Sequence, residues 1–198
     1  MTNEEKLYER TIQLLHERGV QLSDIGELVM FLQERFIPKL TIEEATQNVR
    51  IVLRKREVQN AVMTGIALDK AAEANSLEEP LQKIIAEDEG LYGVDEVLAF
   101  SIVNVYGSIG FTNYGYIDRI KPGILAKLNA HEPGIIHTFL DDIVGAMAAA
   151  AARRPSNDPD TSLSAGQWLP LLPVALPTPI RKSKTIFIDV FLKFSHVS

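Results

Sequence analysis

Cysteine is absent from all 198 residues, which removes disulfides, thiol catalysis and thiolate metal sites together. An excess of positive charge is missing too. The formal net charge of −6 argues against a general nucleic-acid binder and offers no polybasic patch to an anionic membrane. No uninterrupted run reaches the roughly 18 apolar residues expected of a membrane span. The opening Met1-Thr2-Asn3-Glu4-Glu5-Lys6 is polar and acidic, unlike a signal peptide. These absences predict a cytoplasmic protein without a transmembrane segment, for which contact with a membrane would be peripheral. Proline is scarce up to residue 154, and six of the ten prolines fall in 155–198. Period-2 alternation is also lacking up to Arg154, so strands have little support there.

What is present is helical periodicity. Hydrophobic residues make up 46% of the chain and charged residues 23%, enough apolar material for one domain with a substantial core. Residues 3–18 place Leu7, Ile12, Leu14 and Leu15 at helical spacing, with Gly19 as the stop. Ser23 is expected to cap a second helix reaching about Arg35, ended by Pro38. Thr41-Ile42-Glu43-Glu44 is a capping box that opens a long third helix running past Gly65 towards Asn75. Ser76-Leu77-Glu78-Glu79 repeats that pattern, and its helix should end near Gly90. Val94 to Tyr106 is a further helix, followed by a glycine-rich connection and a segment from Tyr116 to Asn129 interrupted by Pro122.

The last helical stretch organises the rest. From Ile143 to Ala152 no side chain is polar, so no face is made for water and the helix must be buried. Thr138 is its expected N-cap, with Asp141 reaching back. The predicted fold is an all-α bundle over residues 1–154, in which about five helices wrap this central Ala-rich one. Residues 155–198 read as a Pro-rich appendage outside the core, since proline at that density excludes helix and central strand.

Acids at helix ends are the candidate chemistry. Asp141 and Asp142 open the central helix, where the macrodipole accounts for one acid at about 0.3–1 kcal/mol. Two in a row diverge by about 100° around the axis, so at least one should face the interior or a cleft and need a cation or a donor. Asp88 closes an earlier helix and Asp95-Glu96 opens the next. These five residues are oxygen ligands of the kind a hard cation such as Mg²⁺ takes from a protein, its shell completed by water and phosphate oxygens. Taken singly, each reads first as a first-turn or capping acid. Lys121, beside Pro122-Gly123, is a natural phosphate partner or an ordinary solvated lysine. Arg54-Lys55-Arg56 reads as a solvated mid-helix face. The four histidines have no metal spacing, and only His137 adjoins the acidic helix start.

Asp88-Glu89-Gly90, Val94-Asp95-Glu96-Val97-Leu98, Asp118-Arg119-Ile120-Lys121-Pro122 and Leu140-Asp141-Asp142-Ile143-Val144-Gly145, in that order and spacing, resemble the motifs of the phosphatidylglycerophosphatase A family. The likeness spans about residues 86–150 and is closest to the short branch similar to a bacterial low-temperature-requirement protein. The resemblance implies a Mg²⁺-dependent phosphatase that removes the terminal phosphate of phosphatidylglycerol phosphate in phospholipid synthesis. It implies Asp95, Glu96, Asp118 and Lys121 as catalytic residues, with Asp141 and Asp142 in the metal site. The expected ligand is a phosphorylated small molecule or a lipid head group, and a homo-oligomer is expected. Two other readings stand beside it. One is an all-α nucleotide pyrophosphatase, although Glu43-Glu44 is followed by Ala45-Thr46-Gln47 rather than by the Glu-Glu-x-x-Glu pattern. The other is a non-catalytic regulatory or assembly protein that keeps the acids as caps.

Overall fold

Capping chemistry starts two of the helices as the sequence dictates. Thr2 and Thr41 each accept the amide of the glutamate three residues on, and that glutamate accepts the threonine's amide in return. A computed structural model describes residues 2–130 and 132–153, which lie in the first of two units into which the chain divides, Met1–Ser156. The appendage expected at 155–198 lies outside the described residues. Those described are all-helical: α1 Asn3–Glu17, α2 Leu22–Gln33, α3 Ile42–Leu53, α4 Arg56–Glu73, α5 Leu81–Ala86, α6 Val94–Val103, a 3-10 turn Asn104–Tyr106, α7 Gly107–Ile120, α8 Ile124–Leu128 and α9 Leu140–Ala152.

α9 is the central helix that the sequence predicts, and all 13 of its residues are buried, Asp141 and Asp142 included. α2, α3, α4, α6, α7 and α8 pack against it. Its apolar surface on all sides is thereby removed from water, which is the main favourable term available to a helix of this composition. Gly145 is not where the chains come closest, because a Cβ there would meet Tyr114, Ile117 and Leu125 at an ordinary 3.7 Å. The close approach is at Gly65 of α4, where a Cβ would lie 2.2 Å from Ile143 Cδ1 and 3.0 Å from Phe139 Cβ.

Several boundaries differ from the sequence expectation. α2 begins one residue before Ser23, with Gln21 as N-cap and its amide donating to Asp24 Oδ2 at 2.7 Å. The long third helix is two, because the chain breaks at Arg54 and Lys55 between α3 and α4. The basic run is therefore a corner rather than a mid-helix face. Arg54 sits over the Tyr8 ring at 4.9 Å and Lys55 over the Tyr106 ring at 5.8 Å. Ser76 caps no helix, since its hydroxyl donates back to Ala71 O at 2.9 Å, and α5 starts only after Pro80. The glycine-rich stretch is not a connection but the first half of α7. Gly110 is needed there, because a Cβ would lie 2.9 Å from Val103 Cγ1 and 3.2 Å from Val103 O.

Among the described residues one segment, Val94–Ile120, is long and apolar enough to cross a membrane by length and composition, with an 18-residue window of mean hydropathy 1.3. It is not an uninterrupted apolar run, since it holds Asp95, Glu96, Asp118 and Arg119. The chain folds it as α6, the 3-10 turn and α7, with Gly107 at φ 71° between the turn and α7.

Candidate active site

The acids gather because α7 ends where α9 begins. Asp118 lies in the last turn of α7, and Lys121 terminates the helix in the left-handed conformation, φ 47° and ψ 54°. A non-glycine residue held there costs about 1–2 kcal/mol. The following Pro122 has no amide to continue the helical ladder. This turn brings the Lys121 ammonium 2.5 Å from Asp118 Oδ1, 2.9 Å from Asp141 Oδ2 and 3.3 Å from Asp142 Oδ1. Asp142 N donates to Asp141 Oδ1 at 2.8 Å, and Glu96 N donates to Asp95 Oδ1 at 3.0 Å. Asp95 is buried with the pair on α9, and Glu96 is half-buried.

One ammonium faces three carboxylates, and the charges of Asp95 and Glu96 reach Asp142 and Tyr114 from α6. Burial opposes the charge on Lys121, but Asp141, Asp142 and Asp118 outweigh it and hold the ammonium protonated well above the usual lysine range. Burial also pushes the Asp142 carboxyl up. Asp141 adds to that push, and Lys121 offsets it only in part before Asp118 and Asp95 contribute further. Tyr114, one turn before Asp118, is fully buried, and its hydroxyl has no hydrogen-bond partner among the described residues. Burial raises the phenol well above its ordinary pKa, with Asp142 the largest of the charges that add to it. The hydroxyl is therefore a neutral donor.

Asp95, Glu96, Asp118, Lys121, Asp141 and Asp142 thus come from three helix ends to one place. Asp88 does not join them in any contact described. It lies at φ 51° on the wall of a separate cleft of about 380 Å³ with Glu73, His137 and Thr138. Among the described residues no three acidic or histidine side chains already stand as a finished ligand set around one point, because the Lys121 ammonium is where the carboxylates meet. The donors nonetheless suit a hard cation. All are oxygens, and Asp95, Asp141 and Asp142 are nearly removed from water.

The start of α9 is held differently from the sequence expectation. Thr138 does not cap it, because its hydroxyl donates to Ile85 O at 2.7 Å. The cap comes from α4: Asp69, fully buried, accepts Phe139 N at 3.0 Å and Leu140 N at 3.1 Å. Burial raises its carboxyl to about 8, opposed by those two amides and Arg18. Arg18 in turn clamps Glu73 through both Nη atoms, at 2.9 and 2.6 Å, and donates to Ile136 O. His137 belongs to this clamp and not to the acid cluster. The sequence reading missed Asp69, Arg18, Glu73 and Tyr114. Asp69 had a signal: it falls on the buried stripe Val62, Gly65, Ile66, Asp69, Ala72 of α4, where a charge needs partners. Tyr114 was hidden by reading its segment as a connection.

The sequence model of the phosphatidylglycerophosphatase A family matches residues 14–155. The uncharacterised protein YutG of Bacillus subtilis is 66% identical over 140 residues, covering 71% of this chain and 84% of its own. YpjQ of the same organism, also uncharacterised, is 54% identical over 144 residues, covering 73% and 81%. The crystal structure of the low temperature requirement C protein from Listeria monocytogenes superposes with a TM-score of 0.73 at 66% identity, over 74% of this chain and 92% of that one.

Proposed function

The chain belongs to the phosphatidylglycerophosphatase A family, which implies a phosphatase, and from that premise we propose a Mg²⁺-dependent phosphomonoesterase acting on the terminal phosphate of phosphatidylglycerol phosphate. The observation that carries the reading is the meeting of Asp118, Asp141 and Asp142 on Lys121, with Asp95 buried beside them. Asp95, Glu96, Asp141 and Asp142 would hold the cation, and Asp88, on another wall, would not. Bound there, Mg²⁺ supplies charge that polarises a phosphoryl oxygen.

The chain's own residues do the remainder. The Lys121 ammonium, a point charge on a flexible stem, binds phosphoryl oxygens and offsets the charge that builds on them. A carboxylate of the cluster takes a proton from the attacking water as the water oxygen bonds to phosphorus. The ester P–O bond breaks, and the leaving oxygen takes a proton to become the alcohol. Buried carboxylate walls keep bulk water from the reacting group, which strengthens each of these interactions.

One feature favours a lipid ester over a nucleotide. Leu91, Val94, Val97 and Ile120 expose apolar surface, at 73%, 48%, 55% and 49%, and the last three adjoin Asp95, Glu96 and Lys121 in the chain. The test is phosphate release from a panel of lipid and nucleotide monoesters, with thermal melting with and without Mg²⁺. Wild type should melt higher with Mg²⁺ and release phosphate from the lipid. Asp141→Asn and Asp142→Asn should lose both effects, with a fall in kcat of two orders of magnitude or more, on the order of one lost charge contact in the transition state. Wild-type protein that neither shifts with Mg²⁺ nor releases phosphate from any ester would sink the enzyme. Release from nucleotides alone would overturn the lipid assignment.

A further inference from the structure

A donor buried without an acceptor is costly enough that one in a native fold calls for an explanation. Tyr114 presents one beside the acid cluster. Its ring is pinned edge-on to Phe100, with centroids 5.6 Å apart at 80°. A Cβ on Gly145 would sit 3.7 Å from Tyr114 Cε2, so the hydroxyl-bearing end of the ring lies against α9. Gly145 is three residues after Asp142, and Tyr114 is four residues before Asp118. In α-helices those offsets keep each pair on one face, a turn apart. The phenol therefore forms a layer directly beneath the carboxylates, on the two helices that carry Asp118, Asp141 and Asp142.

We propose that Tyr114 is a positioning residue, whose buried hydroxyl donates to a carboxylate of the cluster, Asp142 foremost, when a divalent cation binds there. The inference rests on the cation reading of the site given above. Asp142 turns Oδ1 to Lys121 at 3.3 Å, and the phenol has no acceptor among the described residues. With a cation's charge among the carboxylates, Asp142 would no longer depend on Lys121 and would be free to accept from below. The high pKa of the phenol keeps it a donor throughout. A second layer of this kind fixes the angle at which a ligand carboxylate is presented, and its loss weakens metal binding by about 10–100-fold in other sites.

Tyr114→Phe removes one oxygen and keeps the ring. The measurements are melting temperature of metal-free protein, melting temperature across a Mg²⁺ titration, and phosphate release as a function of Mg²⁺ concentration. The variant should melt at the wild-type temperature or above when metal-free, because the hydroxyl it loses was unpaired. Its Mg²⁺ midpoint should rise by about ten-fold or more, and phosphate release should recover at saturating Mg²⁺. An unchanged midpoint overturns the role of Tyr114 and leaves the site reading intact. A clear drop in the metal-free melting temperature also overturns it, since the hydroxyl would then be serving the fold. No Mg²⁺ response in wild type removes the cation reading and this inference with it.

Discussion

His137 Nδ1 lies 3.1 Å from Arg18 Nη2, and a guanidinium only donates, so this ring nitrogen must accept and the ring must be neutral. Burial and the Arg18 charge lower its pKa to about 4, with Glu73 and Glu132 pulling the other way. A histidine whose folded pKa falls below the unfolded 6.5 contributes stability that is whole above pH 6.5. That contribution is lost as pH falls through the window down to about 4. His137→Asn keeps an acceptor for Arg18 but cannot titrate. Between pH 7 and 4.5 the wild-type melting temperature should therefore fall further than that of the variant. Parallel curves would show that the imidazole gains a proton in the fold without cost. The same residue shows why single side chains mislead: its place beside Asp141 in sequence suggested the acid cluster, and Arg18, 119 positions away, claimed it.

At the scale of the helix, α4 and α9 touch through one missing side chain. Gly65→Ala gains up to about 1 kcal/mol of helix propensity. Against that, the new methyl would lie 2.2 Å from Ile143 Cδ1 and 3.0 Å from Phe139 Cβ. The first contact can be relieved by a rotamer change, but the second is close to the backbone of the α9 N-cap and cannot. Overpacking of this kind costs about 1–3 kcal/mol, so the variant should melt lower by several degrees, at about 2–4 °C per kcal/mol for a domain of this size. The shift should come with weaker Mg²⁺ stabilisation, since Phe139 leads directly into Asp141 and Asp142. A variant as stable as wild type would show that α4 can slide away from α9 at no cost.

For the whole chain, the expected separation is between the bundle and residues 155–198. The family match ends at residue 155, and the Listeria protein is covered over 92% of its length by 74% of this chain. Ending the chain after residue 156 should therefore leave the melting temperature of the bundle within a few degrees of wild type. Thermal melts of the two lengths, each with and without Mg²⁺, read this directly. A large drop would mean that the terminal segment supplies part of the core.

Local chemistry decided what could be read without coordinates. An apolar run from Ile143 to Ala152 has one physical solution, burial on every side, so the central helix was legible from that run and the all-α class from helical periodicity along the rest of the bundle. The motifs that carry the family resemblance named Asp95, Glu96, Asp118, Lys121, Asp141 and Asp142 as candidates. Tertiary structure decided whatever depended on long sequence separation. It set Asp69 as the cap of a helix 70 positions further on, turned the corner at Arg54 and Lys55, and drew Gly107 and Gly110 into a helix against Val103. It also sent Asp88 to another wall and buried Tyr114 beneath the carboxylates. A buried polar group is satisfied by whichever partner the packing brings to it, and period and spacing carry no record of that partner.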